Sequence, residues 1–191
     1  MCNQWKTQSH NELRLEEIKK IFGSYDGFKV VGLTGGEPTL RDDLSQIVLS
    51  IMESQPHLKR LFITTNGFLV SKIFLQMRKI LYKLEDATPL TILVSVDGPR
   101  NLHNKIRGLS YAYDKATDTL QILTHLRNMF PFQVGISATY SPYNYKRYDE
   151  VLDELERLNE KFGLESNVCT CWSGNLYGSD KWDWRYVQDL P

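Results

Sequence analysis

Phe28-Lys29-Val30-Val31-Gly32-Leu33-Thr34-Gly35-Gly36-Glu37-Pro38-Thr39 is the stretch on which the reading of this chain turns. Its apolar opening, residues 28–33, reads as a strand buried on both faces. The run stops at two successive glycines, which free the backbone for positive φ and let a ligand approach main-chain groups closely. Glu37 adds a carboxylate at the strand end, and Pro38 stiffens the turn that leaves it. Carbonyls beside a carboxylate suit a cation better than a phosphate. Neither Gly-Lys-Ser/Thr nor GxGxxG occurs to argue otherwise. Read alone, the same residues also fit a plain Gly-Gly turn with a solvated glutamate.

Outward from this stretch, the pattern repeats. Further apolar runs rich in Val, Ile, Phe and Thr lie at 61–65, 90–96, 132–140 and, more weakly, 166–171. Amphipathic segments separate them. One covers 11–22. A second puts Leu44, Ile47, Val48, Ile51 and Met52 on one stripe behind Asp42 and Asp43. A third uses Ile73, Phe74, Met77, Leu81 and Leu84, a fourth spans about 114–129, and a fifth uses Val151, Leu155, Leu158 and Phe162. Strand–helix alternation with such spacing predicts parallel strands joined by right-handed crossovers. The order opens on a helix, so a strand before residue 11 is expected to be missing, which leaves a sheet edge unpaired.

Composition narrows the class. With 191 residues, 41% of them hydrophobic, the chain can bury one core. Lys+Arg and Asp+Glu are both 23, so no net charge draws it to nucleic acid or a membrane surface. No apolar run approaches the roughly 20 residues a bilayer requires, and the first dozen residues lack a secretory layout. A cytoplasmic protein is expected. The three cysteines, Cys2, Cys169 and Cys171, are odd in number and fit a reducing compartment. Cys169-x-Cys171 is not a zinc-knuckle spacing, and buried or strand-borne thiols account for that pair.

In folds of this kind chemistry sits at the carboxyl ends of the strands. After the second run comes Thr65-Asn66-Gly67, a turn tripeptide. After the third comes Ser95-Val96-Asp97-Gly98-Pro99, whose alternation puts Ser95 and Asp97 on one face. His103-Asn104-Lys105-Ile106-Arg107-Gly108 follows, where Arg107 offers a bidentate grip on a carboxylate. Taken singly, Ser95 and Asp97 are ordinary turn-formers and Arg107 an ordinary surface charge.

Taken together and in this order over residues 1–138, Gly-Gly-Glu-Pro, Ser-x-Asp-Gly-Pro and His-x-x-x-Arg-Gly resemble the radical S-adenosylmethionine superfamily. The resemblance implies an α/β fold, a partial (β/α)6 TIM-like barrel of parallel strands whose first strand is absent here. It implies that Gly35, Gly36, Glu37 and Pro38 receive the methionine amino group of S-adenosylmethionine. Ser95 and Asp97 would lie near the ribose and the methionine carboxylate, which Arg107 would meet. It also implies a [4Fe-4S] cluster held by CxxxCxxC, with one iron left free to chelate the methionine moiety. An electron entering the sulfonium would then yield a 5′-deoxyadenosyl radical that abstracts hydrogen from a substrate.

In this resemblance Cys2 matches the third cluster cysteine, and the other two would lie upstream. The expected organisation is one core domain, 1–191, with 1–10 a remnant of the cluster-binding loop and 172–191 an aromatic tail. That tail, with Trp172, Trp182, Trp184 and Tyr186, either closes the barrel or covers a substrate. The intact enzyme would take electrons from a donor such as flavodoxin or ferredoxin, and the chain as it stands is expected to be inactive. The alternative is a non-catalytic remnant that binds S-adenosylmethionine or a partner. A plain barrel aldolase or isomerase is disfavoured, since no strand end carries the Lys or His such chemistry wants. Neutral charge disfavours a nucleic-acid substrate.

Overall fold

The structure is a computed structural model that describes residues 12–84 and 89–164 in full, and the backbone of 166–171. The expected cluster-loop remnant with Cys2, and the aromatic tail, lie outside the described residues. So do the side chains of Cys169 and Cys171.

Five strands form one sheet in the order β1-β2-β3-β4-β5: β1 Val30–Leu33, β2 Arg60–Thr65, β3 Leu90–Ser95, β4 Gln133–Tyr140 and β5 Ser166–Cys171. Every neighbouring pair is parallel. Six helices alternate with them: α1 Leu15–Gly23, α2 Leu44–Ser54, α3 Val70–Leu81, α4 Arg100–Arg107, α5 Ala112–Arg127 and α6 Tyr148–Phe162. Strands adjacent in sequence are adjacent in the sheet. The helices pack in sequence order too, α1 on α2, α2 on α3, α3 on α5 and α5 on α6. One sheet backed by one helical layer is an arc of a β/α barrel rather than a doubly wound sheet.

The pleat explains the two faces. Leu61, Ile63, Leu90, Ile92, Val94, Val134, Ile136 and Ala138 alternate along their strands and are buried under the helices with Ile51, Ile80, Leu120 and Leu158. Burying each such aliphatic side chain contributes about 1.5–3 kcal/mol. The intervening residues form the inner face in levels set by register. Gly32, Phe62, Thr91 and Gln133 share one level; Thr64, Leu93 and Gly135 the next; Ser95 and Ser137 the third. Small polar groups therefore replace bulky ones toward the carboxyl ends.

Two buried amides tie neighbouring elements together. Gln55 accepts from Phe28 N–H at 3.1 Å and donates to the Phe22 and Tyr25 carbonyls at 2.7 Å each, joining the end of α1 to the entry of β1. Gln76 of α3 accepts from Ser45 N–H at 3.2 Å, taking up one free donor of α2. Asp43, expected to serve the α2 N-terminus, instead pairs bidentately with Arg41 at 2.8 Å on each arm.

The alternating plan agrees with the sequence reading, with small shifts of boundary. β1 starts at Val30 and β3 ends at Ser95; α1 starts at Leu15, and Leu84 packs against the core beyond the end of α3. Helix α4 is the real difference. The sequence showed no helix there, because its apolar signal is Leu102 and Ile106 alone on an otherwise polar segment. It forms because Pro99 starts it and Gly108, at φ 73°, ends it, with Gly108 and Leu109 N–H both donating to the Asn104 carbonyl.

Candidate functional site

The loop after β1 presents open backbone. Gly35 has φ 132°, a conformation that favours glycine, and a Cβ placed on Gly35 or Gly36 would meet nothing within 4 Å. Both residues are exposed. Main chain without side chains lets a small polar ligand approach its carbonyls and N–H groups closely.

Glu37 is held by protein donors on both carboxylate oxygens. One carboxylate oxygen accepts from Thr39 N–H (3.2 Å), Thr39 Oγ1 (2.6 Å) and Thr65 Oγ1 (2.8 Å), and the other from Asn66 N–H at 2.7 Å. Pro38–Leu40 closes a short 3-10 turn just behind it. Glu37 thus ties the β1 loop to the β2 loop and sets the path of Gly35 and Gly36. Asn66 continues the link by accepting from Phe68 N–H at 2.8 Å, and Gly67 carbonyl accepts from Thr119 Oγ1 of α5 at 2.7 Å.

Ser95 and Asp97 share the inner face, as alternation predicts. Ser95 is paired in register with Ser137 of β4, and both are 9% exposed. Asp97 is fully buried. Its Oδ2 accepts from Arg107 Nε at 2.8 Å and its Oδ1 from Thr139 N–H at 3.1 Å. Its own N–H donates to His103 Nδ1 at 3.0 Å, and its carbonyl accepts from Asn144 Nδ2 at 3.1 Å. A buried carboxylate with these partners is held, and its chemistry is to hold Arg107 in turn. Arg107 is 17% exposed, and its two terminal nitrogens have no partner among the described residues.

His103 is fully buried on α4. Burial, outweighing the favourable Asp97 carboxylate 3.7 Å away, lowers its pKa from the usual 6.5 to about 4. It is therefore neutral near pH 7. Since Nδ1 accepts a backbone N–H, the proton sits on Nε2. Its ring meets Tyr113 edge to face at 6.2 Å. Tyr113 donates to Glu154 and accepts from Arg157 at 2.5 Å; burial and the Glu154 bond push its pKa up to about 12.

Sequence reading quoted His103 without a role and missed Ser137 and Asn144. Asn144 follows β4 and accepts from Ser141 N–H and Oγ at 2.8 and 3.1 Å. The signal available was position: Ser137 lies within β4 at the level of the last residue of β3, and Asn144 follows the end of β4. A recess of about 240 Å³ on α5 and the end of α6 lies in the outer helical layer, away from those ends.

Comparisons with known proteins give the family and the fold. The Radical SAM superfamily profile matches residues 1–136, so the chain belongs to that superfamily. Its members use S-adenosylmethionine and a [4Fe-4S] cluster. Fe-coproporphyrin III synthase of Methanosarcina barkeri is 31% identical over 148 residues, covering 76% of this chain and 34% of that protein. GTP 3',8-cyclase of Mannheimia succiniciproducens is 30% identical, covering 60% of this chain and 36% of that protein. The chain thus spans about a third of the length of these relatives. Among solved structures, native anSMEcpe with bound AdoMet and Kp18Cys peptide superposes with a TM-score of 0.62 at 18% identity, over 95% of this chain and 49% of that one. That likeness shows the fold, the partial TIM-like barrel expected from sequence.

The donor set fits S-adenosylmethionine: open glycine backbone at one strand end and a guanidinium whose terminal nitrogens have no partner among the described residues at another match the poles of an amino acid. For the cluster, no group of three His, Cys, Asp or Glu side chains is placed to hold a metal among the described residues. No helix among them is long and apolar enough to cross a membrane.

Proposed function

We propose that this chain forms the S-adenosylmethionine-binding core of an enzyme that cleaves this cofactor reductively and passes the 5′-deoxyadenosyl radical to a substrate. The observation that carries the reading is the pairing of an open Gly35–Gly36 backbone with an Arg107 that, among the described residues, is bound through Nε alone. The carbonyls around Gly35 and Gly36 receive the ammonium group. Arg107's terminal nitrogens receive the carboxylate, while Asp97 keeps the guanidinium from turning away. Ser95 and Ser137, paired on the inner face, offer hydroxyls to the ribose. Glu37 holds the cradle's shape and Pro38 its exit. The [4Fe-4S] cluster, when bound, supplies the electron; Cys2 is our assignment for one of its thiolates.

A low-potential donor such as flavodoxin or ferredoxin in the cytoplasm fits that chemistry. The 191 residues alone, which hold only Cys2 of the three cysteines that the family's cluster motif calls for, are proposed to be inactive.

Arg107→Lys tests the site. Lysine keeps a cation beside Asp97 but lacks the second edge that meets a carboxylate. Loss of a charged hydrogen bond worth about 1.5–3 kcal/mol corresponds to roughly 10- to 150-fold in affinity. Calorimetric titration with S-adenosylmethionine should show that loss with little change in melting temperature. Equal binding by both proteins removes Arg107 from the site, and no binding by either removes the reading.

A further inference from the structure

Asp97 is held at four points, and two of them act on its main chain. His103 Nδ1 takes its N–H at 3.0 Å and Asn144 Nδ2 reaches its carbonyl at 3.1 Å. These grips come from two separate elements, α4 and the loop after β4. Asn144 also donates to the Thr139 carbonyl at 3.1 Å, the residue whose N–H binds the Asp97 carboxylate. The main chain of Asp97 and its side-chain partner therefore share one anchor.

The histidine is an odd choice on packing grounds. With its proton on Nε2, that nitrogen is buried and has no hydrogen-bond partner among the described residues. An orphaned buried donor costs about 1–3 kcal/mol, which a leucine of similar size avoids. What a leucine lacks is the acceptor for the Asp97 N–H. The charged groups facing the ring are Asp97 at 3.7 Å and Arg107, with Tyr113 against its edge. None of them bonds Nε2, so the Nδ1 bond is what distinguishes histidine here.

We propose that His103 and Asn144 are positioning residues for the cofactor's carboxylate: together they fix the Asp97 main chain, so that its carboxylate holds Arg107 Nε and leaves the guanidinium's terminal nitrogens for the ligand. The inference rests on the cofactor site proposed above and adds residues that never touch the ligand. Misalignment of Asp97 reaches the ligand only through Arg107, so loss of the clamp loosens binding while the glycine cradle stays intact.

Three variants test it: His103→Leu, which removes the acceptor; His103→Asn, whose side-chain oxygen replaces Nδ1; and Asn144→Ala. S-adenosylmethionine affinity is measured by calorimetry, and the Arg107 Nε–H resonance by NMR of arginine-labelled protein. The expected result is about a tenfold weaker affinity for His103→Leu and Asn144→Ala, the effect of one misplaced hydrogen bond of ~1.4 kcal/mol. His103→Asn should recover most of it. A slowly exchanging Arg107 Nε–H should appear in wild type and His103→Asn and be lost in the other two. A purely packing role predicts no rescue by asparagine, and that result overturns the clamp. So does wild-type affinity with an unchanged Nε–H signal in His103→Leu and Asn144→Ala. If those variants fail to fold, a fast-exchanging Nε–H in the wild type still overturns it. Wild-type protein that takes up no S-adenosylmethionine, yet shows the protected Nε–H, refutes the cofactor site and this inference with it, while binding with unaltered variants refutes the clamp alone.

Discussion

Acidification from pH 7 to pH 5 should destabilise this protein through His103, and the size of the effect follows from its burial. The ring is fully buried and its pKa falls from the usual 6.5 to about 4, first because burial penalises the imidazolium, then because Arg107 repels it. Asp97 opposes the shift without cancelling it. The unfolded chain takes up a proton as pH drops through 6.5, but the folded chain does so only near 4. Stability from this group is thus complete above pH 6.5, falls across the window between the two values, and bottoms out below pH 4. The full loss is about 3 kcal/mol, of which about 2 kcal/mol is lost between pH 7 and 5. Urea unfolding followed by circular dichroism at both pH values measures it, with His103→Leu as the control. The variant should lack about 2 kcal/mol of the wild-type pH dependence whatever its stability at pH 7. Equal losses in the two proteins would mean that His103 titrates as an exposed histidine does, and the argument for a locked neutral ring would fall.

Glu37→Ala should cost about 2–3 kcal/mol of stability in denaturant melts, because it strips acceptors from Thr39, Thr65 and the Asn66 N–H. The same variant should weaken S-adenosylmethionine binding more than Ser95→Ala, by releasing the β1 loop. A larger loss at Ser95 in calorimetric titration would refute that ranking. Gln55→Leu should cost about 2–3 kcal/mol in the same melts, since Phe28 N–H and two carbonyls lose their partner. Gly67→Ala should cost about 1–3 kcal/mol, because Gly67 has φ 76° and an added Cβ would lie 3.0 Å from Ala116 Cα of α5.

What the sequence made legible was periodic or local. Strands buried on both faces read as apolar runs, and helices with full stripes, such as α2 and α3, declared themselves by spacing. Alternation placed Ser95 and Asp97 on one face, and the glycines marked where backbone lies open. Helix α4 escaped because two apolar residues one turn apart are too little signal, and its stop at Gly108 is a single residue. The partners of Glu37 and Asp97 escaped for another reason. Asn66 N–H and Thr139 N–H are backbone groups brought in by neighbouring strand ends, 29 and 42 residues away. No side-chain pattern encodes them. The sequence therefore located both carboxylates at strand ends, and the fold adds the loop or arginine that each one braces.

The account stands most directly on Gly36. Gly36 is exposed and a Cβ there meets nothing within 4 Å beyond its chain neighbours, so Gly36→Val should leave stability within about 0.5 kcal/mol of wild type, as surface substitutions usually do. The same side chain would stand where the amino end of S-adenosylmethionine is placed. Calorimetric titration of wild type and Gly36→Val with S-adenosylmethionine, alongside their melting curves, is the measurement. Matched melting with binding lost by at least about tenfold, more than 1.4 kcal/mol, is the predicted result. Matched melting with undiminished binding would contradict the cradle and the site built on it.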